Sequence, residues 1–265
     1  MNIYLREMKA HLKSLIIWAV IMLFLVMAGI GKYTAAAQTG INMFNDMIKE
    51  MPKSMQGLFG VGVFDLSKLV DYFGVLFLYL ALVLTIHAVM LGNGIISKEE
   101  RDKTAEFLLV KPVSRGKIFT VKLLSAFTGI VIMNLVTTVT SYAMFVAYAE
   151  GETFGVPLIQ IMAALFALQV IFTALGALTA AAIGKHKLSA SLSSGILLMM
   201  FFLSVIIDIS GRMKALGYLT FFKYFDPKDF LKGDYNMLFP LLTVVLTGFF
   251  LFGALFLYRK RDMKL

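Results

Sequence analysis

The chain has 265 residues, 59% of them hydrophobic, a mean hydropathy of +0.83 and a formal net charge of +9. That is more apolar side chain than a soluble domain of this size can bury, so the natural solvent is a bilayer. The basic residues cluster at the ends of apolar runs instead of forming one stripe, which excludes a nucleic-acid surface, and the absence of Cys excludes disulfides, thiolate metal sites and cysteine nucleophiles.

Residues 2–13 place Leu5, Met8 and Leu12 on one helical face and Arg6, Lys9 and Lys13 on another. This reads either as an interfacial amphipathic helix on the inner membrane surface or as the charged flank of the first span. The first span covers 14–31, with Trp18 one turn inside its basic end, where an interfacial ring belongs. Ala35-Ala36-Ala37 resembles a signal cleavage site, but the apolar run exceeds the roughly 7–15 residues of a secretory signal, so a retained span is expected. Residues 32–72 balance four lysines against four acids. Within them Ile41, Phe44, Met47, Ile48, Met51, Met55 and Leu58 recur at helical spacing, predicting short outer amphipathic helices divided near Pro52. Gly57, Gly60 and Gly62 then predict a turn back to the membrane.

The second span, 73–96, carries no formal charge, and its His87 is expected to be neutral and hydrogen-bonded to a neighbouring helix. The connection 97–122 follows, with seven Lys/Arg and four acids. It cannot sit in hydrocarbon, where each central charge costs about 2.5–3.5 kcal/mol on insertion scales. The third span, 123–148, holds Asn134, Thr137, Thr138, Thr140 and Ser141, polar groups expected to face other helices. The fourth, 157–183, opens at Pro157, and the spacing of Gly176, Ala180 and Gly184 predicts a stripe that admits another helix closely. A tight turn at Lys185-His186-Lys187 leads into the fifth span, 188–207, giving a close hairpin. Residues 208–237 carry too many Phe and Tyr for a free loop and predict short helices or a re-entrant element at the outer interface. The sixth span, 238–258, ends in Tyr258-Arg259-Lys260-Arg261.

With the N-terminus inside, the inner segments hold sixteen of the twenty-five Lys/Arg and six of the sixteen acids. That bias places both termini in the cytoplasm. The expected fold is therefore an all-α polytopic membrane protein with six transmembrane helices, formed as a single permease domain over 1–265.

Catalytic constellations are missing from the sequence. No glycine lies five positions before Gly31-Lys32, Gly116-Lys117 or Gly184-Lys185, so no phosphate loop of the GxxxxGK[ST] type exists, and HExxH and GxSxG are absent too. His11, His87 and His186 lie in different segments. The span cores contain no Asp, Glu, Lys or Arg, which weakens an ion-coupled secondary carrier or channel working without an ATPase, the alternative reading.

The charged connection is the most informative stretch. Glu99-Glu100-Arg101-Asp102-Lys103-Thr104-Ala105-Glu106-Phe107-Leu108-Leu109, then Lys111-Pro112-Val113-Ser114-Arg115 and Lys117 to Leu124, closely resembles permease subunits of type-2 ABC exporters. The shared pattern is an acidic pair, a Thr, a Glu, a short Leu-rich helix, a Pro-Val-Ser-Arg turn and a Lys entering the third span. Asp102-Lys103 stands where a Gly before the Thr is common. Met51-Pro52 to Phe59-Gly60, Asp226-Pro227 and the six-span organisation resemble the family more loosely.

The resemblance implies a membrane permease subunit of an ATP-driven exporter, itself not an enzyme. Its partners would be cytoplasmic ABC ATPase subunits, a second permease copy or a homologous permease, and membrane lipid. ATP and Mg would be bound by the ATPase partner, leaving this chain without a cofactor or metal. The expected location is the cell membrane, a bacterial plasma membrane. The loop 97–122 would hold the coupling helix, with Glu99, Glu100, Arg101, Thr104, Glu106, Phe107, Arg115 and Lys117 forming or supporting the ATPase contact. Physically, Thr104 can cap a short helix, Phe107, Leu108 and Leu109 can anchor it, and Pro112 can end it.

Overall fold

The computed structural model describes residues 3–52, 56, 64–102, 113–149, 151–210, 214–232 and 235–260, the side chains of 36–49, 214, 230 and 232 excepted. Of these residues 90% are helical and none is in a strand. The long helices are α1 (Ile3–Glu50), α2 (Leu69–Arg101), α3 (Arg115–Tyr148), α4 (Gly155–Ile183) and α5 (His186–Ser210). Two 3-10 turns (Lys214–Leu219 and Phe221–Phe225) and a short α6 (Pro227–Lys232) then lead to α7 (Leu238–Lys260). Six of these helices are long and apolar enough to cross a membrane, so the protein is all-α and polytopic.

The helix ends have local causes. Ser114 is extended and its Oγ accepts the Lys117 N–H at 3.3 Å, which caps α3 within the Pro-Val-Ser-Arg turn. Gly184 ends α4 at φ 74°, a left-handed conformation that costs a glycine little, and α5 starts two residues later. The start of α2 is capped from a distance: the Glu152 carboxylate accepts the Leu69 and Val70 N–H groups at 3.0 and 3.2 Å. Replacing Glu152 with Ala is expected to cost about 1 kcal/mol, the usual worth of such a cap. Hydrogen exchange checks this, with faster exchange confined to the first turn of α2.

One expectation changes here. Residues 3–13 do not form a separate surface helix; they are the first turns of α1, which runs on for 48 residues, about 72 Å. Nothing in 3–50 breaks the helix, and Pro52 lies just beyond its end. Leu5 and Leu12 are exposed, as side chains turned toward lipid would be, while Glu7 is fully buried. In lipid an apolar face loses nothing by pointing outward. The outer amphipathic helices expected about Pro52 are, up to Glu50, a continuation of α1; the side chains of 36–49 and the turn at Gly57, Gly60 and Gly62 fall outside the described residues.

Helix α4 is the buried centre, contributing Leu165, Leu168, Ile171, Phe172, Ala177 and Ala180 to the core. It approaches α2 backbone to backbone. Gly92 faces the Thr173 carbonyl and Gly176 faces the Val89 carbonyl, and the Thr173 hydroxyl donates to the Ala88 carbonyl at 3.2 Å. The small-residue stripe thus does what its spacing suggests, except that Gly184 serves as the helix stop. On α3, Asn134 donates to the Met162 carbonyl of α4 at 3.1 Å. Thr137, Thr138 and Thr140 instead donate to carbonyls one turn back on their own helix.

The outer helices carry large exposed apolar side chains, Phe24 on α1, Met199 and Phe202 on α5, Val244 and Phe252 on α7. The aromatic stretch after α5 folds into short helices as expected: Phe221 and Phe222 pack on Phe172 at 5.5 and 5.4 Å between centroids. Beside them Lys223 bridges Asp208 and Asp226, each at 2.5 Å. Burial pushes the Asp226 carboxyl upward, but the Lys223 and Lys228 ammonium groups outweigh it and hold it below its ordinary range.

Candidate functional site at the charged end of the bundle

The starts of α1 and α3 and the end of α2 meet at one end of the bundle, where the connection 102–114 leaves α2 and re-enters α3. Five charged side chains interlock there. The Lys122 ammonium donates to the Glu99 carboxylate and, at 2.7 Å, to the Ile95 carbonyl. Arg6 reaches Glu99 at 3.4 Å and donates twice to Glu7, at 2.8 and 3.1 Å, and Lys98 donates to the other Glu7 oxygen at 3.0 Å. Tyr4 adds a hydrogen bond to Thr128 of α3 at 3.0 Å.

Burial makes these contacts consequential. Glu7 and Lys122 have no exposed surface and Glu99 only 3%. A buried ion pair adds little net stability by itself, but removing one partner strands a charge in a low-dielectric interior. The network therefore obliges three helices to keep one relative position at the root of the connection.

Two further helices, α5 and α7, are tied to the same root. Ser97 Oγ lies 2.6 Å from His186 Nδ1, joining the end of α2 to the start of α5. Arg115 donates to the Arg259 carbonyl at 3.3 Å, and Gly116 lies against the Arg259 guanidinium, joining α3 to α7. The Phe119 and Tyr258 rings meet behind them, tilted, with centroids 5.4 Å apart.

The residues expected from the sequence are thus distributed unevenly. Glu99 is an interior group that braces the site, and Glu100 and Arg115 are half-buried at its edge. Arg101 and Lys117 are exposed. Arg101 pairs with Asp102 at 2.9 Å, and this hydrogen-bonded guanidinium holds the Asp102 carboxyl below its ordinary range. Thr104, Glu106 and Phe107, with the expected coupling helix, lie outside the described residues.

Sequence reasoning missed Arg6, Glu7, Lys98 and Lys122 as one unit. Two signals were present. Lys122 shares a helical face with Ile118, Phe119, Ser125, Ala126 and Gly129, an apolar and small stripe where a lone lysine needs a partner. Glu7 is the one acid before the first span and shares a face with His11, Ser14 and Trp18.

That second stripe leads into a cavity of about 450 Å³ between α1, α2, α3 and α5, lined by Lys98 and Arg101 toward the charged end and by Trp18 and His87 further along the helices. His87 does not bond to a neighbouring helix through Nδ1, which is buried without a hydrogen-bond partner among the described residues. Its ring packs on Trp18 of α1 at 5.5 Å. Among the described residues no three His, Asp or Glu side chains cluster as metal ligands.

The arrangement is thus mechanical, a clamp at the base of a hydrophilic connection beside a cavity that enters the membrane. A family model described as ABC-2 family transporter protein matches residues 1–262. A comparison with curated proteins finds no match. Six membrane-crossing helices and a family match over nearly the whole chain give one conclusion: the protein belongs to the ABC-2 transporter family, as a membrane subunit of an ABC transporter that is not itself catalytic.

Proposed function

We propose that this chain is the permease of an ATP-driven exporter, worked by separate cytoplasmic ATPase subunits that grip the connection 97–122. A second permease, identical or homologous, completes the pathway. Both termini are cytoplasmic and the assembly lies in a bacterial plasma membrane. The observation that carries this reading is the buried Glu99–Lys122 pair with Arg6, Glu7 and Lys98 around it. A force applied to the connection reaches α2 and α3 directly and α1 through Glu7, so the three move as one body, the rigid-body form of switching.

Half-buried and exposed groups suit different parts of that contact. Arg101 and Lys117 offer charge to a partner, whereas Arg115 is half-buried and holds the end of α7. Glu99 serves as support, not as a contact. The rival reading, a carrier driven by an ion gradient, asks for acids poised within the membrane; Glu7 and Glu99 are instead each bound by two cations at the charged end.

The test is affinity purification of the chain with whatever it binds. An ATP-hydrolysing subunit is expected to come with it. Arg115→Glu should lower the retained ATPase by about tenfold or more, the effect of losing an interfacial arginine, while insertion of the chain is unchanged. Normal retention in that variant, together with Lys117→Glu, removes the connection from the contact.

A further inference from the structure

Helix α5 is held at its two ends. At the charged end Ser97 Oγ lies 2.6 Å from His186 Nδ1, and the Ser189 hydroxyl lies 3.3 Å from Asn93 Oδ1. Ser97 and Asn93 both belong to α2, and Ser97 precedes Lys98 of the ionic clamp, so a movement of the clamp reaches the start of α5 directly.

At the other end Asp208 receives Lys223 at 2.5 Å and Lys228 at 3.2 Å, and the Thr220 hydroxyl donates to the Met200 carbonyl at 2.8 Å. Thr220, Lys223 and Lys228 lie in the aromatic segment 214–232 that follows α5. Burial lowers the Lys223 ammonium, but Asp226 and Asp208 outweigh it and hold it above its ordinary range, so the tie stays ionic. From His186 to Asp208 is 22 residues, about 33 Å of helix, enough to cross a hydrocarbon layer of about 30 Å.

Between these ends little interlocks. The buried residues of α5 are Ser189, Ser193, Leu197, Ser204, Val205 and Ile207, so half of the inward face is serine. The Ser193 hydroxyl is satisfied within α5, by the Ala190 carbonyl at 3.1 Å. Short side chains make shallow ridges, which hinder sliding along a neighbour less than deeply meshed ones. The opposite face, with Leu188, Leu192, Met199, Phe202 and Ile206, is exposed.

The aromatic segment meets α4 and α7 through rings. Phe221 and Phe222 rest on Phe172 of α4, Phe221 also lies 6.2 Å from Phe250 of α7, and Tyr224 stacks on Phe239 of α7 at 5.0 Å. Ring pairs tolerate a range of offsets and tilts, whereas separating a buried ion pair strands a charge. The segment therefore follows α5 and slips against α4 and α7.

We infer that α5 is a rod which carries movement of the charged clamp across the membrane to the segment 214–232, the two sliding as one body over α4 and α7, the shear form of switching. Its use, to open the far end of the pathway in step with the ATPase, rests on the transport reading above and gives that reading a means of reaching the far side.

Sites this far apart act independently unless a rigid element joins them, so non-additivity is the readout. Hydrogen exchange is measured on the full chain in nanodiscs, without ATPase or nucleotide. Ser97→Ala with Ser189→Ala removes the ties at the charged end. The amides of 221–225 are expected to exchange at least about threefold faster, while those of α4 around Phe172 stay unchanged. Asp208→Ala with Thr220→Val releases the segment from α5. In that background exchange is faster from the start, and the two serine substitutions should change it by less than about 1.5-fold. Unchanged exchange of 221–225 in the first variant, or an equal increment in the second background, overturns the inference. So does a rise of the same size across α4, which marks general loosening of the bundle. Because no motor subunit is present, failure here leaves coupling untouched, and failure of coupling leaves this result readable.

Discussion

Lys122→Met is expected to destabilise the helix bundle by about 3–5 kcal/mol, the usual cost of removing one partner from a buried ion pair. The substitution roughly keeps side-chain volume and shape, so packing against Phe119 and Ala126 changes little. What it removes is the ammonium that donates to Glu99, a carboxylate only 3% exposed. Arg6, 3.4 Å away and already bonded twice to Glu7, is a weak substitute. Denaturant unfolding in mixed micelles measures the loss, with Lys117→Met, exposed on the same helix, as a control that should stay near wild type.

The companion variant separates stability from coupling. Glu99→Met combined with Lys122→Met removes both charges and should recover most of the lost stability, because apolar replacements of a buried pair are often neutral or better. Glu7 keeps Arg6 and Lys98 in that variant. If the double variant is as unstable as the single one, the ion pair is not the reason Lys122 matters.

The second large effect lies deeper in the membrane. A Cβ at Gly92 would collide with the Thr173 carbonyl oxygen and stand 2.9 Å from its carbon, and one at Gly176 would collide with the Val89 oxygen and stand 2.9 Å from the Asn93 nitrogen. None of these neighbours is a flexible side-chain tip, so α2 and α4 must move apart by about 1 Å to reach ordinary contact. Gly92→Ala should cost about 3 kcal/mol, the upper part of the usual overpacking range, because the separation also weakens the Thr173 bond to Ala88. Gly176→Ala should behave alike, and the double variant should cost less than the two together, since one separation relieves both clashes. Gly94, with nothing within 4 Å of a built Cβ, is the control, and Ala there should be neutral or slightly stabilising. Equal effects at Gly92 and Gly94 would refute the close approach.

The six spans were legible because an apolar run long enough to cross a bilayer is more than a soluble core of this size could cover. Their ends were not. Hydropathy placed the second span at 73–96, whereas α2 covers Leu69–Arg101, because the Glu152 cap and the ion pairs at Lys98 and Glu99 sustain the helix beyond the hydrocarbon. Hydropathy measures lipid thickness; helix length is set by how the ends are satisfied. The inward face of α1 was not legible for a related reason. The apolar face of Leu5 and Leu12 is turned outward, and the inward position goes to the group with a polar partner, here Glu7, which the pattern alone does not single out.

Within the candidate site, the connection itself was readable from its charges and from its resemblance to a known pattern. Its foundation was not, because Glu7 and Lys98 are 91 residues apart, Arg6 and Glu99 93, and no local spacing announces such a meeting. Gly176 could be picked out from its stripe with Ala180. Gly92 could not, since its reason is the Thr173 carbonyl of another helix.

The account depends on a motor subunit in the cytoplasm holding the connection between α2 and α3, and the absence of native Cys makes this directly measurable with one introduced thiol. Glu106→Cys is placed in the expected coupling segment, and the assembly is treated with a membrane-impermeant maleimide in intact cells and in inside-out vesicles, then with a short bifunctional cross-linker. The account predicts labelling in the inverted vesicles alone and a cross-link to an ATP-hydrolysing subunit. Labelling of intact cells, or a fully active assembly in which that thiol reaches no such subunit, would contradict it.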